Sequence, residues 1–450
     1  MKEIIDAFSE AAKKYLENID KRKVFPLKAD IKNMKALDVP LQTHSIDPLE
    51  VLRELDAFGS PATVASTGSR YFGFVIGGAL PAPLAVNWLA GVWDQNAGIE
   101  AASPVSSYIE SICRKWLLEV LNLPPETEIG FVSGATMANF TCLASARHAV
   151  LKSAGWDVEK EGLFNAPSIK VIVGEEVHVS ILKALSMLGL GRDRITRVPV
   201  DRQGRMIAGE IPIKSDPTII CTQAGNVNTG SFDPIEKICD QAHSTNAWVH
   251  VDGAFGLWAC ASSRFTSLTR GIHKADSWAA DAHKWLNVPY DSGIAFVKNR
   301  NHLISSMSTD AAYLVSGEKR EPFRTVPEIS RRARGLEIWA ALRSLGKKGL
   351  AELIELNCDE ASLFAEKLSE AGFKILNDVV LNQILVSFGS SEVTKKIIRR
   401  IQDEGTCWCG GTEWQGQTAM RISVSSWRTT FKDIEKSAEV IAGIAEEEIS

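Results

Sequence analysis

Asp252 closes an apolar run, Trp248-Val249-His250-Val251-Asp252, and further along the chain Lys284 sits in Asp281-Ala282-His283-Lys284-Trp285. An acid at a strand end and a lysine beside a histidine suit one cofactor well. Pyridoxal phosphate needs an amine to hold its aldehyde and a carboxylate to keep its ring nitrogen protonated. A strand-end acid in a turn and a surface lysine would leave the same two residues. The pair alone therefore does not decide the matter.

A phosphate site is the next requirement. Phe131-Val132-Ser133-Gly134-Ala135-Thr136 reads as strand, tight turn and helix start, with Gly134 allowing the sharp turn. The amides of Ala135 and Thr136, with the Thr136 hydroxyl, would then face an anion at the helix N-terminus. An ordinary Ser/Thr-capped turn reads the same way. No Gly-x-Gly-x-x-Gly and no Walker-type lysine is present, so nucleotide binding is the weaker alternative. His178 follows a strand and begins a helix, where it either stacks on a planar ring and moves protons or simply caps the helix.

The elements that must position these residues are legible from pattern. Strand-length apolar runs at Ile129–Val132, Ile169–Val173, Ile195–Val200, Ile219–Cys221, Trp248–Val251, Ser277–Ala279 and Gly293–Val297 alternate with helical periods. Alternation of this kind implies a mostly parallel sheet covered on both faces, an α/β domain over 71–348. Asp233-Pro234-Ile235-Glu236 reads as an N-cap, a first-turn proline and a capping-box acid. Residues 349–450 change to a small α+β domain, with strands at Ile375–Leu376, Ile384–Phe388 and Met420–Val424 and a last helix opening at Thr430. Residues 1–70 read as a helical segment. Ile4, Ile5, Phe8, Ala12, Tyr15, Leu16 and Ile19 recur on one face, which must be covered, as by a second subunit.

Composition bounds the class. The chain has 450 residues, 45% hydrophobic and 23% charged, which is enough for a sizeable core. A net charge of −5 gives no electrostatic case for nucleic acid or an anionic membrane. The charged start, Met1-Lys2-Glu3-Ile4-Ile5-Asp6, lacks a signal peptide's apolar core, and Pro81 and Pro83 break the longest apolar stretch. Eight scattered cysteines fit reduced thiols in the cytoplasm. Cys407 and Cys409, the only close pair, read as strand residues, and no metal site is expected.

Taken in order, Gly134-Ala135-Thr136, His178, Asp252-x-Ala254 and His283-Lys284 resemble the group II pyridoxal-phosphate-dependent amino acid decarboxylases, the glutamate and aromatic amino acid decarboxylase-like family. Ser103-Pro104 with Glu110 and Trp116 is similar to that family's N-terminal signature. Ala224 to Gly230 followed by Asp233-Pro234 resembles its Gly-Thr-Thr loop. Arg331-Arg332-Ala333-Arg334-Gly335-Leu336-Glu337-Ile338-Trp339 resembles its Arg-rich helix, and Arg421-Ile422-Ser423 its C-terminal arginine strand.

The resemblance implies the PLP-dependent transferase fold of the aspartate aminotransferase type (fold type I), with a large sheet domain and a small C-terminal α+β domain. It implies a homodimer, with Asn96 to Ser103 reaching the neighbouring subunit's pocket. It implies decarboxylation of an L-amino acid to the amine and CO2. Lys284 would bind the cofactor's aldehyde, Asp252 its ring nitrogen, and His178 one ring face. Small Ala254 would let the ring lie close, Gly134, Ala135, Thr136 and His283 would hold the phosphate, and Asn226 would stand near the cofactor. Arg421 would meet the substrate carboxylate as a bidentate fork, or else form an ion pair between domains.

Three departures limit the resemblance. Asp281 stands where many relatives have Asn. No tyrosine lies between Tyr313 and Arg331 to protonate Cα, so His178 is the candidate donor, and aldehyde synthesis or carbon–carbon lyase chemistry on the same cofactor stays open. Asn96 and Gly98 replace bulkier groups, which favours a polar or acidic substrate.

Overall fold

The computed structural model describes residues 1–213, 216–309 and 321–449. The chain falls into two compact units. One comprises Met1–Ile76, Glu360–Leu376 and Ile384–Ser450; the other comprises Gly77–Asp359 and Asn377–Gln383.

The second unit is built on a seven-stranded sheet. Its strands are β1 (Glu128–Val132), β2 (Lys170–Gly174), β3 (Ile195–Val198), β4 (Thr218–Gln223), β5 (Trp248–Asp252), β6 (Ser277–Asp281) and β7 (Gly293–Val297). The order across the sheet is β1-β7-β6-β5-β4-β2-β3. From β6 through β5, β4 and β2 to β3 the pairing is parallel, whereas β7 runs antiparallel to both β6 and β1. Only β7 is therefore reversed. The loops that leave β1, β2, β4, β5 and β6 all emerge at one edge of the sheet, where open α/β sheets place their ligands.

The strands β4, β5, β6 and β7 are buried along their whole length, as strands covered on both faces must be. The helix Ala135–Ser153 lies across them and is buried on most of its circumference, including Ala138, Asn139, Cys142, Leu143 and Ala146. Its side chains join Val171, Val173, Ile219, Ala279 and Ala295 in the main core cluster. The sheet thus forms a rigid base whose strand ends carry the polar residues.

Two local expectations change. Asp233 does not cap the helix Ile235–His243, whose N-cap is Pro234. Its buried carboxylate instead accepts the Met206 and Gln223 N–H groups, both at 2.7 Å, tying the end of β4 to a neighbouring loop. Arg331 to Arg334 precede their helix, which begins at Gly335 and is interrupted at Gly346, where φ is 63°.

The first unit carries a four-stranded sheet of β8 (Lys374–Ile375), β9 (Gln383–Ser387), β10 (Gly410–Trp414) and β11 (Gln417–Ser423), in the order β10-β11-β9-β8. The strand β10 was not legible in the sequence. Cys407 and Cys409 are not strand residues: they flank Trp408, which makes an isolated bridge to Tyr71 and stacks on its ring at 5.1 Å. The N-terminal residues are tied into this unit by ion pairs from Arg70 to Asp433 and from Arg428 to Asp20, both 3.0 Å. The last helix, Phe431–Ile449, is closed by Thr430 and Asp433, which exchange hydrogen bonds as a capping box. Among the described residues no helix is long and apolar enough to cross a membrane.

Candidate active site

Four of the loops leaving that sheet edge meet around a cavity of about 270 Å³. It is lined by Ser133, Gly134, Ala135, Thr136 and Met137 after β1, and by His178 and Ser180 after β2. Ala254 follows β5, and Asp281, His283 and Lys284 lie at the end of β6. Most of the residues singled out in the sequence therefore lie on one cavity although the chain separates them widely.

The turn after β1 is shaped by close approach rather than by a left-handed backbone. Gly134 has φ 167°, which any residue can adopt. A Cβ there would instead meet His283 Cε1 at 3.1 Å and Asp281 Oδ1 at 3.3 Å. Behind it, a Cβ on Gly293 would lie 2.4 Å from Gly134 Cα. The expected sharp turn is present, with only Ser133 and Gly134 between β1 and the helix, and it is backed by a tight glycine-on-glycine contact with β7.

His283 is held by its neighbours in one protonation state. The Ser292 N–H donates to His283 Nδ1 at 3.0 Å, which leaves the proton on Nε2, facing the turn. Its ring stacks on Tyr290 with centroids 4.1 Å apart, and burial lowers its pKa from the ordinary value. His178 is arranged similarly. It caps the helix Val179–Met187, its Nδ1 accepting from Ser180 N–H at 3.2 Å, so Nε2 again carries the proton. Capping and lining the cavity are compatible, because they use different edges of one ring.

Asp252 lies at the end of β5, 5% exposed, and donors surround its carboxylate. Ala254 N–H donates to Oδ1 at 3.2 Å, while Asn139 Nδ2 and the Ser180 hydroxyl approach Oδ2 at 3.2 and 3.4 Å. Behind Asn139 the polar chain continues inward. Asn139 Oδ1 meets His250 Nε2 at 2.9 Å, His250 Nδ1 meets Ser277 Oγ at 2.9 Å, and the Trp248 indole N–H donates to that same hydroxyl at 2.9 Å. Because a carboxylate can only accept, the direction of the chain follows. Asn139 turns its NH2 toward Asp252, its Oδ1 accepts from His250 Nε2, and the neutral His250 takes the Ser277 proton at Nδ1 while Ser277 Oγ accepts from the indole. Burial keeps His250 neutral, its pKa lowered to about 4. Asn139, Ser180, His250 and Ser292 were not picked out in the sequence.

Other expected site residues lie elsewhere. Asn226 does not line the cavity; its Oδ1 accepts from Asn228 and Thr229 N–H at 2.9 and 3.2 Å, bracing its own turn. Asn96 lines a separate cavity of about 630 Å³ with Asn87, Gln95, Arg331 and Arg332. Its Oδ1 accepts from Gly98 and Arg331 N–H, both at 3.1 Å. Gly98 is small because the Ile329 carbonyl would lie 2.0 Å from a Cβ. Arg421 is on β11 of the first unit, where burial lowers its pKa. Tyr313 lies outside the described residues.

The donor set fits pyridoxal phosphate. Helix N-terminal amides, the Thr136 hydroxyl and a His283 N–H suit a phosphate, the glycine-lined turn leaves it room, and an amine and a fixed carboxylate complete the requirements. Residues 35–389 match the model of the pyridoxal-dependent decarboxylase conserved domain. The chain belongs to the pyridoxal-dependent decarboxylase family. It is a carboxy-lyase that works with pyridoxal phosphate on an amino acid.

This decarboxylase is 27% identical over 381 residues to the aromatic-L-amino-acid decarboxylase of Bacillus atrophaeus, covering 79% of this chain and 75% of the relative. It is 25% identical over 379 residues to the phenylacetaldehyde synthase of Petunia hybrida, covering 76% and 73%. The crystal structure of Oryza sativa TDC with PLP and tryptamine superposes with a TM-score of 0.92 over 100% of this chain and 98% of that one, at 20% identity. That likeness concerns the fold, which is the fold type I α/β architecture.

Proposed function

We propose that this decarboxylase converts an L-amino acid to its amine and CO2 at the Lys284 cavity. One observation carries the reading: loops from four strand ends bring Lys284, His178, Ala254 and the Gly134–Thr136 turn together, over a braced Asp252. When bound, pyridoxal phosphate supplies an aldehyde for the substrate's amine and a ring that takes up the electron pair left by CO2. The remaining work belongs to the chain. Ala135, Thr136 and His283 hold the phosphate, and Lys284 holds the aldehyde until substrate arrives. Asp252 faces the ring nitrogen and keeps a proton on it, while Ala254 leaves space for the ring. His178 covers the opposite ring face and, with its proton on Nε2, returns a proton to the substrate carbon. Arg421 binds the substrate carboxylate, and Asn226 shapes the loop beside the cofactor.

The test is direct. Lys284→Ala is expected to lose the borohydride-trappable adduct with the cofactor, and wild type is expected to release CO2 and amine one for one across a panel of amino acids. An intact adduct in the variant would remove the central assignment.

A second reading is aldehyde synthesis. It is supported by the Petunia hybrida relative's being a phenylacetaldehyde synthase and by the absence of a tyrosine between Tyr313 and Arg331. Ammonia and peroxide formed with the product would favour it.

We also propose a cytoplasmic homodimer. Ile5 and Phe8 on the helix Lys2–Asn18 are 54% and 39% exposed, and Val51 and Leu55 on the helix Pro48–Gly59 are exposed as well. An apolar face of this kind suits a second copy. Asn96 and Gly98 would then serve the neighbouring subunit's pocket. Ile5→Glu combined with Phe8→Glu is expected to give monomers in sedimentation; an unchanged dimer would place the interface elsewhere. All eight cysteines are free, consistent with a reducing compartment.

A further inference from the structure

Asp281 holds the donors that the proposed site needs for its cofactor. Its Oδ1 accepts from Ala135 N–H at 2.5 Å and lies 3.4 Å from His283 Nε2, and its Oδ2 lies 3.1 Å from the Lys284 ammonium. The first two donors are those assigned above to the phosphate, and the third is the amine assigned to the aldehyde. We propose that the Asp281 carboxylate is a resident counter-anion of the phosphate cradle, which an incoming phosphorylated cofactor must displace. The proposal rests on the site assignment given under Proposed function.

The surroundings give the carboxylate little freedom. Asp281 is 2% exposed, so water cannot take over its charge where it stands. Its backbone is fixed from both sides, the N–H donating to Ala254 O at 2.8 Å and the carbonyl accepting from the Trp258 indole at 2.9 Å. His283 has one proton to offer, on Nε2, because Ser292 occupies Nδ1. That proton cannot serve carboxylate and phosphate together. Among the described residues, the other charged or titratable groups nearby give no spare cation: Tyr290 stacks on His283, and Asp291 is engaged by Arg334 at 2.9 Å.

Loading the cofactor would take Ala135 and His283 from Asp281 and would convert the Lys284 amine, with release of water, into an imine with the cofactor's aldehyde. Two anions are left side by side. Like charges brought together out of water repel strongly, so Asp281 weakens the hold on a phosphorylated ring but not on an unphosphorylated one.

The experiment is a titration of apoenzyme with pyridoxal phosphate and with pyridoxal, in wild type and Asp281→Asn. Binding is read by visible absorbance and by mass after borohydride trapping. Removing the charge is expected to tighten pyridoxal phosphate by about tenfold or more, while pyridoxal changes much less. The ratio isolates the phosphate, because any effect through Lys284 touches both ligands alike. Equal or weaker binding of pyridoxal phosphate by Asp281→Asn, relative to pyridoxal, would overturn the proposal. Asp281→Ser, which also removes the charge, serves should the first variant unfold on heating earlier than wild type. A wild type that traps no cofactor on Lys284 would instead overturn the site assignment.

Discussion

His250 Nε2 and Asn139 Oδ1 meet at 2.9 Å, and that contact holds the Asn139 amide with its NH2 toward Asp252. The carboxylate proposed to hold the ring nitrogen is thus aimed from behind by a neutral histidine. Its support runs to Trp248 through Ser277.

Asn139→Leu keeps the volume and removes the donor at 3.2 Å from Asp252 Oδ2. A hydrogen bond to a charged group is worth about 1.5–3 kcal/mol, so kcat is expected to fall roughly tenfold to a hundredfold. The absorbance of the bound cofactor should become more sensitive to pH, since the ring nitrogen's partner is less fixed. A variant with unchanged kcat and spectrum would show that Asp252 needs no such brace.

Gly293→Ala tests the packing beneath the phosphate turn. The added Cβ would lie 2.4 Å from Gly134 Cα and nearly as close to that residue's backbone C and N. Overpacking of this kind costs about 1–3 kcal/mol, and relief requires the turn to shift. Denaturant unfolding should show the loss of stability, and cofactor titration should show weaker binding. A variant as stable and as tightly loaded as wild type would contradict the tight contact.

The strand ends were legible because buried parallel strands leave continuous apolar runs, and all seven strands of the large sheet appear where such runs lie. Lys284, His178 and the Gly134 turn were legible as chemistry at strand ends. The brace was harder to see. His250 shares a strand face with Asp252 by alternation, and Asn139 follows Ala135 by one helical turn, so both spacings were present in the sequence. Nothing local distinguishes such residues from ordinary core polar groups, because their partners come from other elements, β6 and the start of the helix Ala135–Ser153. The strand β10 was missed for a related reason: Gly410-Gly411-Thr412-Glu413 is polar and half exposed, without the apolar alternation that marks a strand. Asp233 misled because Asp-Pro is a helix-start pattern, whereas its burial directs it to backbone amides elsewhere.

Ser180→Ala separates the two duties at the start of the helix Val179–Met187. The Ser180 N–H still donates to His178 Nδ1, so the cap and the Nε2 proton stay in place. The hydroxyl between His178 and Asp252, at 2.8 and 3.4 Å, is lost. Stability is expected to change by about 1 kcal/mol at most, while kcat falls with KM little altered. A large loss of stability with normal kcat would make Ser180 a structural residue only.

The buried neutral His250 also sets a pH dependence of stability. Its pKa is about 4 in the folded protein against 6.5 ordinarily, with burial the main cause and the charge of Asp252 opposing it. Between these values the unfolded chain binds a proton that the native protein does not. Stability from this group is therefore full above about pH 6.5 and is lost as pH falls toward about 4, by about 3 kcal/mol in all. Asp233 acts with the opposite sign. Burial pushes its carboxyl up to about 7 despite hydrogen bonds from Met206 and Gln223, so its contribution falls as pH rises through that value. The two effects partly cancel in wild type, and a single pH curve would hide both. His250→Gln keeps a donor toward Asn139 but does not titrate. Guanidinium unfolding of both proteins should show wild type losing about 2 kcal/mol relative to the variant between about pH 7.5 and pH 5. Parallel curves would mean that His250 is protonated in the native chain, donating from both ring nitrogens, so that Ser277 accepts from Nδ1 instead of donating to it.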